Sequence, residues 1–95
     1  MLVQIVRFTT AMSDEAFAKV AEERSPAFAQ VPGLQQKYFV KLGEPGRYGG
    51  VYIWENRAAM EAYRASDLAA STGDAYEVIG ETEVETMEAL AALRS

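Results

Sequence analysis

The sequence predicts an α+β domain with the element order βαββαβ and a four-stranded antiparallel sheet. Two observations indicate this fold class. Four segments have the apolar or alternating composition of strands, and the two longer gaps between them carry helix N-cap residues followed by apolar residues at helical spacing. Because no repeat, linker or low-complexity stretch interrupts this order, residues 1–95 are expected to form a single domain.

The first half of the chain begins with a strand over about residues 2–9, which are β-branched and apolar without a helical period. Ser13 is expected to cap the first helix, because a hydroxyl there can accept a hydrogen bond from a free backbone N–H. Pro26 removes one backbone hydrogen bond, so the helix is expected to kink or restart there with Ser25 as its new cap. The sequence Val31-Pro32-Gly33 should end it.

The second half begins with an alternating strand over residues 34–42, expected at a sheet edge and half-solvated. A turn at residues 43–46 leads into a hairpin partner over residues 48–55. Asn56 is expected to cap the second helix, and Ser66 a short continuation that Gly73 ends. The last strand is expected over about residues 82–89, with Gly80 at its approach.

This arrangement, known as ferredoxin-like, leaves one face of the sheet without helices, because two helices cover only the other face. The first and third strands are apolar on both faces. A bare second face would expose several hundred Å² of apolar surface, more than most monomers tolerate. The sequence therefore predicts a homodimer with its two sheets packed face to face.

The composition excludes several kinds of chemistry. The chain contains no cysteine and no histidine, which removes thiolate sites, disulfides, the commonest metal ligand and the usual neutral-pH base. Its net charge is -5 with scattered basic residues, so nucleic acid is not an expected partner. We expect no bound metal and no cofactor. The apolar start, residues 2–6, is too short for a signal or a membrane span, which predicts a cytoplasmic protein without membrane contact.

Residues 31–66 contain a recognisable pattern. Pro32-Gly33 precedes the second strand, Gly49-Gly50-Val51-Tyr52 opens the third, Ala62-Tyr63 lies in the second helix, and Trp54 comes just before that helix. This pattern resembles the dimeric α+β barrel superfamily, especially the YdhR-type monooxygenases and the antibiotic biosynthesis monooxygenases. The resemblance implies a pocket between sheet and helices in each subunit. It also implies oxidation of an electron-rich aromatic or polyketide-like small molecule by O₂, without metal or flavin.

Haem-degrading members of the same superfamily place a histidine and an asparagine at two positions that differ here. The alignment puts Gly73 at the histidine position and Arg7 at about the asparagine position. The resemblance to that branch therefore does not extend to haem binding, since only a tyrosine or a carboxylate would remain as an iron ligand.

The candidate catalytic residues are Arg7 and Tyr63. Arg7 is the one charge in an apolar strand, on the same side as Val3 and Ile5, which faces the pocket by analogy with relatives. A guanidinium there could hold a substrate anion, or it could pair with Glu55 or another carboxylate. Tyr63 falls where haem-degrading relatives carry a pocket aromatic.

The candidate substrate-binding residues are aromatic apart from one glycine, namely Tyr38, Tyr52, Trp54, Tyr76 and Gly50. Each aromatic residue could equally be a core residue. Gly49 and Gly50 weaken a strand, so either they leave a gap for a ligand or a bulky side chain, or they mark a β-bulge. The alternate glutamates over residues 77–88 indicate a solvated strand face rather than a metal site.

The sequence favours a cofactor-independent monooxygenase but shows no evident general base. The base would have to be a tyrosinate, a carboxylate or water, unless the substrate arrives ionised. The alternatives are a dimer that binds a small molecule without turnover, and a cyclase or isomerase of the same superfamily.

Overall fold

The fold was derived from a computed structural model that describes residues 1–94, and it contains four strands and four helices within that range. The strands are β1 (Leu2–Thr10), β2 (Leu34–Lys41), β3 (Arg47–Trp54) and β4 (Val78–Glu88), and the helices are α1 (Asp14–Ala29), α2 (Arg57–Arg64), α3 (Asp67–Ala70) and α4 (Thr72–Ala75). All strand pairs are antiparallel, in the order β2-β3-β1-β4. The predicted ferredoxin-like α+β fold is confirmed.

Three of the four predicted helix caps are present. The side chains of Ser13, Asn56 and Ser66 accept hydrogen bonds from backbone N–H groups three residues further along, which satisfies donors that a helix start leaves free. The predicted restart at Pro26 does not occur, since α1 runs through it. Ser25 instead donates its hydroxyl to the Ala21 carbonyl oxygen at 2.7 Å, one turn back in the same helix.

Strand β4 begins four residues before the predicted start at Thr82. These additional residues also pair with β1, but the pairing register shifts between Arg7 and Thr9. Gly80, whose φ angle is 73°, lies in this early part of the strand, where a positive φ favours glycine. Gly73 was expected to end a helix but lies inside α4.

The sheet has one face covered by the helices and one open face. Alternate residues of β1 and β3 are buried on the covered face, namely Leu2, Gln4, Phe8, Tyr48, Tyr52 and Trp54. Their neighbours on the open face, including Val3, Ile5, Val51 and Ile53, are only half-buried. Among residues 1–94, no helix is both long and apolar enough to span a membrane.

Two aromatic clusters form the core between sheet and helices. One contains Phe28, Tyr52, Trp54, Met60 and Tyr63 under α1 and α2. The other contains Phe8, Phe17, Tyr48 and Tyr76 toward the start of α1. Rings meet at centroid distances of 4.5 to 6.3 Å, so much of the buried area comes from aromatic contact.

Gly49 is required for the close pairing of the two central strands. A methyl group at this position would lie 1.9 Å from the Val6 carbonyl oxygen, which is far inside van der Waals contact. We expect Gly49→Ala to separate β1 from β3 and to lower the free energy of unfolding by at least about 2 kcal/mol.

The measurement is urea unfolding followed by circular dichroism. Gly43→Ala is the matched control, since Gly43 has no neighbour within 4 Å of the added methyl and should change stability by less than about 0.5 kcal/mol. Equal stabilities of the two variants would contradict the proposed crowding.

Candidate functional site

A cleft of about 290 Å³ opens between the covered face of the sheet and the helices α2 to α4. We call it the sheet–helix cleft; its walls include Gln4, Val6, Tyr52, Tyr63, Thr72 and Val84. A groove of about 370 Å³ also lies between the end of α1 and the helices α2 and α3. Its lining is mainly Ala, Val, Pro and Leu side chains, so the sheet–helix cleft is the better candidate for chemistry.

The inner wall of the cleft is aromatic and rigidly held. The rings of Tyr52 and Trp54 are nearly parallel, at 4° and with centroids 6.0 Å apart, and Tyr63 packs against both at 5.7 and 5.3 Å. The Trp54 indole N–H donates a buried hydrogen bond of 2.9 Å to Gln4 Oε1. This bond satisfies two polar groups that would otherwise be costly to bury, and it fixes the orientation of the indole.

Behind this wall lies a much smaller space, which we call the inner void. It measures about 10 Å³, near the smallest volume that admits one water-sized group. Lys37, Gly50 and Tyr76 line it, and it shares Val6, Tyr52 and Thr72 with the sheet–helix cleft. The two spaces are therefore neighbours, separated by side chains that belong to both.

Lys37 places its amine among three aromatic rings. Nζ lies 3.3 Å from the ring centroid of Phe28, 4.3 Å from that of Phe39 and 4.5 Å from that of Tyr52. No ion pair among residues 1–94 includes Lys37. Ring faces favour the charged amine, but burial and then the nearby Arg24 act against it and lower the pKa of Lys37 from 10.5 to about 7.

Arg24 joins α1 to the helices that roof the cleft. Its guanidinium donates to the Leu68 carbonyl oxygen, Ser71 Oγ and Thr72 Oγ1 at 3.0 to 3.2 Å. The guanidinium carbon also lies 5.5 Å from the Phe28 ring centroid and 5.7 Å from that of Tyr76. A fixed positive charge therefore lies close to the inner void.

The hydroxyls of Tyr52 and Tyr76 are neutral near pH 7. Burial, with Tyr63 beside it, raises the pKa of Tyr52 well above the usual tyrosine range, and burial also raises that of Tyr76. The Tyr76 hydroxyl oxygen is buried and has no hydrogen-bond partner among residues 1–94. Arg24 lies beside it, so the Tyr76 hydroxyl lacks only a hydrogen bond of good geometry, and its residue lines the inner void.

Five of the seven residues predicted for the site lie on the covered face, namely Gly50, Tyr52, Trp54, Tyr63 and Tyr76. Tyr52 and Tyr63 line the sheet–helix cleft, and Gly50, Tyr52 and Tyr76 line the inner void. Trp54 has no exposed surface and supports the tyrosines from behind.

The remaining two predicted residues, Arg7 and Tyr38, lie on the open face. Arg7 shares that face with Val3 and Ile5, as expected, but its Nη1 pairs with Glu85 Oε1 at 3.1 Å across β4. The side chain of Tyr38 is also on the open face, and the residue is 55% exposed. The structure therefore does not bring Arg7 or Tyr38 together with Tyr63.

The glycine pair has two separate structural roles. Gly49 allows β1 to approach β3, as described above. At Gly50, an added methyl would lie 3.1 Å from Tyr52 Cε1 and 3.2 Å from Lys37 Cε, so Gly50 leaves room for the lysine and tyrosine side chains. Gly50 was expected to leave a gap for a ligand or a bulky side chain, or to mark a β-bulge. In the structure, bulky neighbouring side chains fill the gap.

Lys37 and Arg24 were not among the predicted site residues, although both had a signal in the sequence. Arg24 falls on the apolar stripe of α1 with Phe17, Ala21 and Phe28, where a charge is unusual. Lys37 shares a strand face with Phe39. Each is a charged residue on the apolar side of an amphipathic element, which indicates a buried charge.

Among residues 1–94, no group of three or more acidic side chains is placed to hold a metal ion. The glutamates of β4 are exposed. Two of them, Glu83 and Glu85, form ion pairs with Arg47 and Arg7 on the open face. These two pairs are partly solvated, so each contributes little to stability.

The fold is a small α+β domain shared with the solved structures described below. The chain belongs to the family described as "Putative mono-oxygenase ydhR", whose model matches residues 2–95. The predicted resemblance to this family is confirmed. No curated protein sequence is significantly similar to the chain.

Solved structures of the same fold are distant in sequence. SnoaB from Streptomyces nogalater, a cofactor-independent oxygenase, is 18% identical with a TM-score of 0.76, over 99% of this chain and 97% of that one. A "putative antibiotic biosynthesis monooxygenase" from Deinococcus radiodurans is 20% identical with a TM-score of 0.74, over 100% and 98% of the two chains. At these identities the likeness shows the fold.

The lowered pKa of Lys37 predicts a pH-dependent effect of its removal. Below about pH 7 both folded and unfolded chains carry the proton, so the folded chain bears the full cost of a half-buried cation. That cost falls as the pH rises from about 7 to 10.5 and then disappears. We expect Lys37→Met to raise the free energy of unfolding by roughly 2 kcal/mol below pH 7 and much less above pH 10.

Urea unfolding at several pH values measures this effect. Lys41→Met is the control, because hydrogen bonding to Asp14 raises the pKa of the exposed Lys41, so its removal should cost a little stability until the pH passes that pKa. A stability difference for Lys37→Met that does not vary with pH would contradict the lowered pKa.

Proposed function

We propose that this protein is a monooxygenase that uses no cofactor and acts on a hydrophobic, aromatic or polyketide-like small molecule. Family membership supports monooxygenase-like chemistry, and the fold is shared with a cofactor-independent oxygenase. The observation that carries the proposal is the sheet–helix cleft, which is lined by Tyr52 and Tyr63 with Trp54 packed against both rings. Such a wall suits a flat, electron-rich ring system.

The cleft can contribute binding, orientation and exclusion of water. At about 290 Å³ it is at the lower end of the range for small-molecule sites, which favours a substrate of few fused rings. Tyr52 and Tyr63 would orient the ring, and Trp54 would hold those tyrosines in place. Reaction with O₂ begins from the ionised substrate, so a water-poor site with nearby positive charge favours it.

The chemistry requires no external reductant for a substrate with an activated methylene group. In an anthrone, the CH₂ group and one O₂ become a C=O group and one water, so that the substrate loses the four electrons that O₂ gains. The substrate anion supplies these electrons, and a side chain has to supply only binding and proton transfer.

A second candidate function is binding without turnover, and a third is cyclisation or isomerisation in the same cleft. The cleft geometry is compatible with all three, because each needs an aromatic wall and polar groups at its edge. Consumption of O₂ separates the first from the others, since neither binding nor isomerisation uses it.

The test of the proposed function is O₂ uptake with dithranol, a dihydroxyanthrone, measured against a protein-free control and under anaerobic conditions. We expect the protein to accelerate uptake with formation of dantron, the matching anthraquinone. Tyr63→Phe should reduce the rate about tenfold, the equivalent of one hydrogen bond in the transition state.

Arg7→Ala tests whether Arg7 has the catalytic role predicted from the sequence. Because Arg7 lies on the open face in a pair with Glu85, we expect uptake to stay near the wild-type rate. A large loss in Arg7→Ala would instead support its role as the anion-holding group. No acceleration by the wild-type protein would exclude an oxygenase acting on anthrones.

We also propose that the open face joins two copies of the chain in a homodimer. That face carries half-buried Val3, Ile5, Val51 and Ile53 and the more exposed Tyr38, Ile79 and Met87. Contiguous apolar surface of this kind on a small domain is typical of a protein interface. A partner packed there would bury this surface.

Sedimentation velocity at micromolar concentration tests the dimer. We expect wild type to sediment as a dimer and Tyr38→Asp, which places a charge on the open face, to sediment as a monomer. Ala58→Asp is the control, since Ala58 is exposed at the start of α2 on the other side of the molecule. A monomeric wild-type protein would contradict the proposal.

A further inference from the structure

Resting on the proposed function, we propose that Lys37 is the proton acceptor of the site and that the inner void receives the ionisable oxygen of the substrate. The ring system would occupy the sheet–helix cleft while one phenolic or enolic hydroxyl enters the inner void. There the hydroxyl gives its proton to Lys37 Nζ and becomes the anion that reacts with O₂. The bond broken is the substrate O–H, and the bond formed is the third N–H of the ammonium.

The size and lining of the inner void support this assignment. Its volume of about 10 Å³ suits a single oxygen-sized group and excludes a ring. The amine of Lys37 and the hydroxyl of Tyr76 belong to residues that line it, and the Tyr76 hydroxyl has no partner among residues 1–94. A substrate oxygen placed there would accept a hydrogen bond from Tyr76, which would satisfy an otherwise costly buried group.

The aromatic cage suits both protonation states of Lys37. Before transfer the amine must be neutral to accept a proton, and burial among Phe28, Phe39 and Tyr52 favours that state near pH 7. After transfer the ammonium lies against three ring faces, which attract a cation. The new substrate anion beside it provides the counter-ion that no residue in the described range 1–94 supplies.

The other titratable groups around Lys37 cannot replace it as base. Arg24 approaches from α1 and stays charged, while Tyr52 on β3 and Tyr76 after α4 have raised pKa values. Tyr63 approaches from α2, and no ionised carboxylate is paired with Lys37 among the described residues. Lys41, on the same strand face, is paired with Asp14.

The first experiment needs no turnover and follows the ε-CH₂ signals of the lysines by NMR from about pH 5 to about pH 11. The chain has Lys19, Lys37 and Lys41 only, so assignment by Lys37→Met is direct. We expect one signal to titrate near pH 7 and to be missing in Lys37→Met. If all three lysines titrate together above about pH 10, the proposal is overturned.

The second experiment uses dantron, a phenolic product analogue that O₂ does not oxidise further at the same carbon. We expect wild type and Lys41→Met to bind dantron near neutral pH with the visible absorbance of its ionised form, and the Lys37 signal to titrate at higher pH in the complex. Lys37→Met should bind it without ionisation, since methionine can neither accept a proton nor provide a counter-ion. Binding to wild type in the neutral form would overturn the proposal.

The third experiment measures O₂ uptake with dithranol as a function of pH. The wild-type rate should rise with pH through about 7 as Lys37 becomes neutral. In Lys37→Met the rate should be about a hundredfold lower, and this rise with pH should be absent. An unchanged profile in a folded Lys37→Met would overturn the assignment of the base. No uptake by wild type would refute the oxygenase, whereas the NMR and dantron results would still decide the role of Lys37.

Discussion

The features of this domain all depend on the crowding of aromatic rings against one face of a four-stranded sheet. Phe28, Tyr52, Trp54 and Tyr63 meet at centroid distances of 5.3 to 6.2 Å, and together they hold the inner wall of the cleft in place. Rings are large and have few rotatable bonds, so they fill space at low entropic cost. Rigid rings also pack with small gaps between them, and one such gap is the inner void.

The same crowding determines which charges the interior accepts. Gly50 leaves space beside the Lys37 side chain where it reaches the rings, and the amine loses hydration without gaining a carboxylate partner among residues 1–94. Arg24 is accommodated differently, because three hydrogen bonds and two ring contacts offset the burial of a cation that does not lose its charge, while its Nε has no partner among residues 1–94. The two side chains thus differ in one environment. Arg24 stays charged, whereas Lys37 changes its protonation state near neutral pH.

Much of the fold could be predicted from the sequence, because strand order, caps and turns are encoded by local patterns such as Ser13 and Asn56. Five of the seven residues predicted for the site lie between the sheet and the helices, four of them aromatic. Arg7 lies on the same face as Val3 and Ile5, as predicted. The local sequence does not determine which of the two apolar faces the helices cover, so it did not place Arg7 on the open face. Lys37 was missed because lysine is rarely buried, and the groups that surround it come from β3 and α1.

Arg24 has a consequence for how molecules enter and leave. Helices α3 and α4 have four residues each, too few to be stable in isolation, and they roof the cleft. Among the described side chains, one guanidinium ties this roof to α1 through Leu68, Ser71 and Thr72. The roof is therefore the part of the chain expected to open first. The residence time of a bound molecule would then depend on how often the Arg24 hydrogen bonds break, and not on the rate of the reaction in the cleft.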